Sequence, residues 1–169
     1  MDKSKKVREF LRESNAIEGV FDEDSLKQAE IAWKYLEEQK ELDIQVILRT
    51  HRILMLNQRI RGFERGYFRK RPVFIGGKEA LHYSEIRGAI KSWLKDVETS
   101  IEMPGKNGKH IQLDHITFEK IHPFIDGNGR IGRIFMNWQR KKAGLPILVI
   151  KEAEKQKYYD WFTNTLKGD

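Results

Sequence analysis

Cysteine is absent from the 169 residues of this chain. Its absence excludes disulfides, zinc–thiolate sites and a cysteine nucleophile, and it is compatible with a reducing compartment. Long apolar runs are also missing, since none approaches the ~18 residues that cross a membrane. The first ten residues, MDKSKKVREF, carry positive charge but lead into no apolar signal-peptide segment. We therefore expect a cytoplasmic protein with no membrane partner.

Acidic residues are fewer than basic ones, 25 against 32, which gives a net charge of +7. A basic surface can attract nucleic acid, acidic proteins or phosphate ligands. The basic residues are spread over residues 3–8, 59–71 and 130–142, which is typical of a solvated surface. No recognition-helix, zinc-finger or RNA-binding signature accompanies them. Nucleic-acid binding therefore stays a minor alternative, which a steep salt dependence of binding would reveal.

Apolar residues recur at helical spacing along most of the chain. The pattern predicts helices at residues 24–40 and 43–57, from Ser84, around 111–118, from about Gly129 to Gly144, and around 158–166. Val73-Phe74-Ile75 before the turn pair Gly76-Gly77 predicts a short β-hairpin, and residues 103–109 predict a polar loop. We expect an all-α fold, a single compact helical domain that carries this small hairpin.

The stretch IHPFIDGNGRIGR, residues 121–133, contains several groups that are suited to catalysis or phosphate binding. Pro123 should end the preceding helix near His122, which leaves that imidazole available as a proton acceptor. Asp126 offers a hard oxygen ligand suited to Mg²⁺, which usually takes one or two carboxylates plus substrate phosphates. Gly127-Asn128-Gly129 can bring backbone N–H groups close to an anion.

A helix is predicted directly behind this turn, so its free N–H groups and positive dipole end point at the same place. Arg130 and Arg133 lie on one face of its first turns. Arginines at a helix N-terminus oppose the dipole, and a bound polyanion would offset that cost. Each feature alone is common in turns and solvated helices. Together they predict a nucleotide-phosphate site with a base beside it.

These residues match every signature position of the Fic family, HxFx(D/E)GNGRxxR, from His122 to Arg133. The segment from Gly66 to Arg69 resembles the G-x-x-R element of the family. Residues 73–77 resemble the strand flap that holds a target protein against the site. The resemblance runs from about Arg8 to Tyr158 and implies the Fic-type helical fold with its hairpin flap.

The resemblance also implies an activity, because family members usually transfer AMP from ATP to a Ser, Thr or Tyr hydroxyl of a protein. His122 would then be the base, and Asp126 would hold Mg²⁺ or Mn²⁺ across the phosphates. The amides of Gly127 to Gly129, with the Asn128 side chain, would cradle the phosphates. Arg130 and Arg133 would neutralise the outer phosphates. Phe124 would anchor the loop in the core.

An unidentified target protein is the expected partner besides ATP, and self-modification is also compatible with the resemblance. The flap residues Val73, Phe74, Ile75 and Gly76 would dock the target. The resemblance leaves the target, the modified residue and the preferred base of the nucleotide open.

Ser14-Asn-Ala-Ile-Glu18-Gly19 resembles the inhibitory motif of the family, (S/T)xxxE(G/N). Ser14 and Glu18 are four residues apart, so they share one face of a helix. In relatives with this N-terminal motif the glutamate pairs with the second arginine, here Arg133, and obstructs placement of the γ-phosphate. We therefore expect residues 1–20 to form an inhibitory segment and residues 21–169 the catalytic core. The sequence leaves open whether the same site also removes AMP from a modified protein.

Other chemistries remain as alternatives. Fic relatives include kinase-like phosphotransferases and enzymes that use other nucleotide donors. Kinase-type relatives usually depart from the motif at its second glycine or last arginine, and both Gly129 and Arg133 are present here, which favours AMP transfer. A non-catalytic ATP-sensing module is disfavoured by the intact His122, because phosphate binding alone needs no base.

Overall fold

The fold was obtained as a computed structural model that describes residues 2–103, 105 and 107–164. Over these residues the chain forms seven α-helices and one hairpin of two short strands. The elements are α1 (Lys3–Ile17), α2 (Glu23–Glu37), α3 (Ile44–Leu54), β1 (Phe74–Ile75), β2 (Lys78–Glu79), α4 (Ile86–Glu102), α5 (Asn107–Ile121), α6 (Asn128–Lys142) and α7 (Lys155–Asn164). Among the described helices, none is long and apolar enough to cross a membrane.

Aspartates begin three of these helices by accepting hydrogen bonds from their first turns. Asp22 Oδ1 accepts from the Ser25 N–H at 2.7 Å, and Asp43 Oδ1 accepts from the Val46 N–H at 2.7 Å. Asp2 caps α1 in the same way. The first helix ends near Glu18, where Gly19 adopts a left-handed φ of 72°. The chain therefore leaves α1 directly after the Ser14–Glu18 pair.

Helix α6 lies at the centre of the fold and is in contact with α1, α2, α3, α4 and α5. Its residues from Ile131 to Gln139 are all buried. On the side of α4 and α5, Trp93, Phe118 and Phe135 pack ring against ring. A buried helix surrounded on several sides is held rigidly, so its N-terminus is a fixed platform. That N-terminus carries the motif.

The hairpin forms where the sequence predicts it, with Phe74 opposite Glu79 and Ile75 opposite Lys78. The predicted polar loop at 103–109 was too long, because α5 already begins at Asn107. Gly108, in the first turn of α5, lies against the end of α6 and the residues after it, where a Cβ at this glycine would be 3.7 Å from Leu145 Cδ1. Tertiary packing therefore extends α5 toward its N-terminus. Helices α2 and α3 end three residues earlier than predicted. Residues 104, 106 and 165–169, including part of that loop and of the last predicted helix, lie outside the described residues.

Candidate active site

His122 has an unusual backbone, because its φ of 49° is positive and it precedes a proline. Helix α5 ends at Ile121, as the proline predicts. A positive φ in a residue with a side chain is strained and persists only where the surroundings hold it. Arg69 holds it here, since its Nε donates to the His122 carbonyl at 2.8 Å and its N–H donates to the Pro123 carbonyl at 2.9 Å.

The His122 imidazole is itself about half-buried. Burial lowers its pKa from the ordinary value of 6.5, so the ring is neutral at pH 7. A neutral imidazole can accept a proton, which is the state that a general base needs.

The Asn128 side chain closes the loop on itself. Its Oδ1 accepts from the Phe124 N–H at 2.9 Å, and its Nδ2 donates to the Phe124 carbonyl at 2.9 Å. Phe124 is fully buried in the core, as expected for an anchor. Only one of the two Nδ2 hydrogens is used in the bond to Phe124, so Asn128 has its backbone N–H and its second Nδ2 hydrogen as donors for an anion.

His51 of α3 is a second support of the loop, and the sequence analysis did not single it out. Its ring stacks on Phe124 with centroids 3.7 Å apart. Nδ1 accepts from the Gly66 N–H at 3.0 Å, so the proton is on Nε2, which lies 2.9 Å from the Asp126 carbonyl. Burial lowers the pKa of His51 to about 4 and keeps it neutral. Its loop partners follow it by more than seventy residues, so no local pattern could have identified it.

Asp126 is the exposed carboxylate of the loop, and its Oδ1 accepts from the Gly127 N–H at 2.7 Å. Gly127 has a φ of 80°, and a Cβ at this position would lie 2.6 Å from Met55 Sδ, so only glycine fits. The described residues contain no group of three or more acidic or histidine side chains that could hold a metal. One exposed carboxylate fits Mg²⁺ or Mn²⁺ when substrate phosphates supply further ligands.

Gly129 belongs to the first turn of α6 and is helical, so only Gly127 of the two glycines uses a positive φ. The N–H groups of this first turn have no partner within the helix, which is the usual basis of anion binding at helix N-termini. Arg130 is buried beside them, with Nη1 donating to Gln58 Oε1 at 3.1 Å. Burial lowers the pKa of its guanidinium, so a bound anion would find a poorly solvated positive charge here.

Arg133 is held by the N-terminal helix. Its Nε donates to Ser14 Oγ at 2.8 Å, and its Nη2 donates to the Ser14 carbonyl at 2.9 Å and to Glu18 Oε1 at 2.8 Å. The guanidinium is 1% exposed and the Glu18 side chain 38% exposed. Glu18 also lies directly over Gly129, because a Cβ on that glycine would be 2.3 Å from Glu18 Oε1. A carboxylate therefore lies at the N-terminus of α6, where the sequence predicts phosphate.

The C-terminal helix also reaches Arg133, through a residue that the sequence did not single out for the site. Arg133 Nη1 donates to the Tyr158 hydroxyl at 3.1 Å, and the guanidinium carbon lies 5.3 Å from the Tyr158 ring centroid. The same hydroxyl lies 2.9 Å from His115 Nε2. Burial lowers the pKa of His115 to about 3, so this histidine is neutral. Arg133 is thus oriented from two sides, by α1 and by α7.

Two cavities meet at the motif. The larger, of about 620 Å³, is bounded by the hairpin on one side and α7 on the other. The smaller, of about 270 Å³, is lined by the loop from His122 to Arg130. Glu18, His122 and Gly129 line both cavities. The neutral His122 imidazole and the N-terminus of α6 therefore share one opening, and the Glu18 carboxylate lies in it.

The profile of the Fic/DOC family matches residues 41–139. A relative described as protein adenylyltransferase Fic, from Aedes aegypti, is 32% identical over 124 residues, covering 69% of this chain and 24% of the relative. A protein of the same description from Drosophila ananassae is 28% identical over 172 residues, covering 96% of this chain and 34% of the relative. The chain thus spans about a quarter to a third of the length of these relatives.

Solved structures are similar over nearly the whole chain. A Fic domain containing signaling protein from Bacteroides thetaiotaomicron superposes with a TM-score of 0.78 at 20% identity, covering 92% of this chain and 70% of that one. Fic-1 from C. elegans superposes with a TM-score of 0.78 at 19% identity, covering 100% and 60%. These similarities confirm the predicted helical fold with its small hairpin. The chain belongs to the Fic/DOC family.

Proposed function

We propose that this chain is a protein adenylyltransferase, which transfers AMP from ATP to a Ser, Thr or Tyr hydroxyl of a target protein. The observation that carries the proposal is the shared opening, where a neutral His122 lies beside the free N–H groups of α6 and two buried arginines. The names of the relatives, protein adenylyltransferase Fic, support the same activity.

The proposed chemistry is an in-line attack on the α-phosphorus. His122 takes the proton of the acceptor hydroxyl, the hydroxyl oxygen bonds to the α-phosphorus, and pyrophosphate leaves with the electrons of the broken P–O bond. The α6 N–H groups, Arg130 and Arg133 hold the phosphates in place, so positioning and charge stabilisation supply most of the acceleration. Asp126 would hold Mg²⁺ or Mn²⁺, which neutralises phosphate charge when bound.

We further propose that residues 1–20 act as an inhibitory segment on a catalytic core formed by residues 21–169. Glu18 is paired with Arg133 and lies over Gly129, so its carboxylate competes with an anion for the same donors. The segment also has a structural role, because Phe10 and Leu11 belong to the hydrophobic core. Relief of inhibition therefore requires a local shift of the end of α1 rather than loss of the whole helix.

The hairpin is the proposed docking element for the target. Phe74 is 68% exposed, Ile75 is 45% exposed, and the hairpin borders the larger cavity. A target strand that pairs with an open hairpin edge gains affinity through backbone hydrogen bonds, largely independent of its sequence. The same arrangement would accept a segment of a second copy of this chain, which would lead to self-modification.

The test uses wild type, Glu18→Gly and Glu18→Gly/His122→Ala with Mg²⁺, α-labelled ATP and cell lysate. We expect labelled protein with Glu18→Gly and a loss on the order of 10²–10⁴ in rate when the base is also removed. Full transfer activity without His122 would refute its assignment as the base. Label that comes only from γ-labelled ATP would instead identify a kinase-like phosphotransferase. Absence of label from both would point to another nucleotide donor.

A further inference from the structure

A second groove, of about 470 Å³, lies against the motif loop on the side of α3 and the residues before the hairpin. Ile125, which lies between His122 and Asp126 in the chain, lines both this groove and the smaller cavity of the active site. The groove therefore opens directly beside the proposed base. Neither the ATP chemistry nor the proposed strand pairing by the hairpin uses it.

The groove is lined by the buried Arg69, by one acidic side chain, Glu64, and by four further cations, Arg52, Arg61, Lys70 and Arg71. All four are exposed. In the described part of the chain, only Arg71 of the four forms a salt bridge, with Glu64 at 3.0 Å. A concave cluster of like charges focuses a positive potential on its interior. The groove therefore attracts an anionic partner.

Two aromatic rings lie among these cations. Phe63 is 67% exposed and Tyr67 is 53% exposed, although both belong to the groove lining. Arg61 Cζ lies 5.8 Å from the Phe63 ring centroid. Exposed aromatic rings grouped with arginines are typical of the central part of protein–protein interfaces. This composition favours a peptide with both acidic and apolar side chains over a bare phosphate chain.

The groove is also preformed and fixed relative to the active site. Arg69, which itself lines the groove, donates to the carbonyls of His122 and Leu81 and so ties the loop to the chain that follows the hairpin. Gly66 lies tightly against Arg52 of α3, where a Cβ would be 2.7 Å from the arginine Cβ. A preformed surface loses little conformational entropy when it binds a partner.

We propose that this groove docks an acidic segment of the target protein, adjacent to the hydroxyl that receives AMP. The proposal rests on the proposed transferase function and adds the chemical class of the segment that is recognised. Backbone pairing with the hairpin would hold the target largely independently of the target's sequence. The groove would then distinguish between targets by their charge. Selection between target proteins would then depend on acidic residues near the modified hydroxyl.

The test measures binding without ATP, so its result does not depend on catalysis. The probe is a fluorescein-labelled peptide of glutamates with one central tyrosine, and its fluorescence anisotropy is followed with the full chain. Arg61→Glu/Lys70→Glu reverses two groove cations, and Arg87→Glu/Lys91→Glu reverses two exposed cations on α4 as the matched control. Both variants change the net charge equally. Thermal unfolding checks that each remains folded.

We expect the groove variant to bind the acidic peptide about tenfold more weakly than the control, a difference of about 1.4 kcal/mol. Equal weakening in both variants would overturn the proposal, because net charge alone would then explain binding. Absence of binding by the wild type would also overturn it. Tighter binding of a single-stranded oligonucleotide, weakened by the same groove variant, would overturn it in favour of nucleic acid. If the groove binds the acidic peptide as expected but Glu18→Gly transfers no α-label, only the proposed transferase function is rejected.

Discussion

Replacing Glu18 by glycine should raise the rate of AMP transfer by roughly tenfold or more. The carboxylate accepts one hydrogen bond from the buried Arg133 guanidinium at 2.8 Å. A hydrogen bond to a charged group contributes about 1.5–3 kcal/mol to stability, and the 38% exposure of the Glu18 side chain puts this one at the lower end. Since about 1.4 kcal/mol corresponds to a factor of ten, the unobstructed state should gain at least that factor.

Arg133 should remain in position in this variant, because the two bonds from Arg133 to Ser14 and its bond to Tyr158 do not involve Glu18. Glu18→Gln keeps the size of the side chain and a neutral acceptor oxygen but removes its charge. Its activity should therefore lie between those of the wild type and Glu18→Gly. Glu9→Gln is the control, since Glu9 is on the same helix and pairs with Lys6 instead.

The assay is the initial rate of α-label incorporation at saturating ATP, measured for the four proteins side by side. The reasoning fails if Glu18→Gly incorporates label no faster than a measurable wild type. It fails equally if Glu9→Gln produces the same increase, because the effect would then belong to the charge of the helix and not to the contact with Arg133.

Three further predictions concern the supports of the site, each measured by urea unfolding. Tyr158→Phe should cost about 1–3 kcal/mol, because it leaves a buried Arg133 donor without its partner, whereas Tyr35→Phe on α2 should change stability by less than about 0.5 kcal/mol. His51→Ala should cost on the order of 3 kcal/mol by removing a stacked ring and two hydrogen bonds, and a loss below about 1 kcal/mol would contradict its assigned role. Glu119 of α5 lines the larger cavity, and burial raises its pKa from 4.5 to about 7. The folded chain therefore holds this proton more tightly and loses stability as pH rises from about 4.5 to 7. Glu119→Gln should therefore stabilise the protein more at pH 8 than at pH 5, and a gain independent of pH would refute this explanation.

The motif and its local surroundings could be predicted because their causes are local. Pro123 ends α5, and Gly127 supplies the positive φ before α6 begins at Asn128. The hairpin at residues 73–79 also follows from adjacent residues, since a glycine pair between short strands is a turn signal. The error at 103–109 has the opposite cause. Packing against the end of α6 extends α5 through residues whose own preferences favour a loop.

The supports of the site could not be predicted, because each joins residues that are far apart in the chain. His51 contacts Phe124 and the Asp126 carbonyl, and Tyr158 contacts Arg133 and His115. A histidine or tyrosine at an apolar helix position is compatible with ordinary core packing, so the pattern alone carries no information about its hydrogen bonds. The closure of the Asn128 side chain onto Phe124 is likewise visible only in three dimensions.

The sequence by itself determined the family, the helical class, the hairpin and the position of the motif loop, because these depend on local periodicity, turn chemistry and one contiguous motif. Only the tertiary structure decided how these groups act on one another. It brought Glu18 within 2.8 Å of Arg133 across more than a hundred residues, opened two cavities onto His122 and gathered four cations beside Ile125. The physical reason is that burial, charge pairing and cavity shape arise from packing of separate helices, which no local segment encodes.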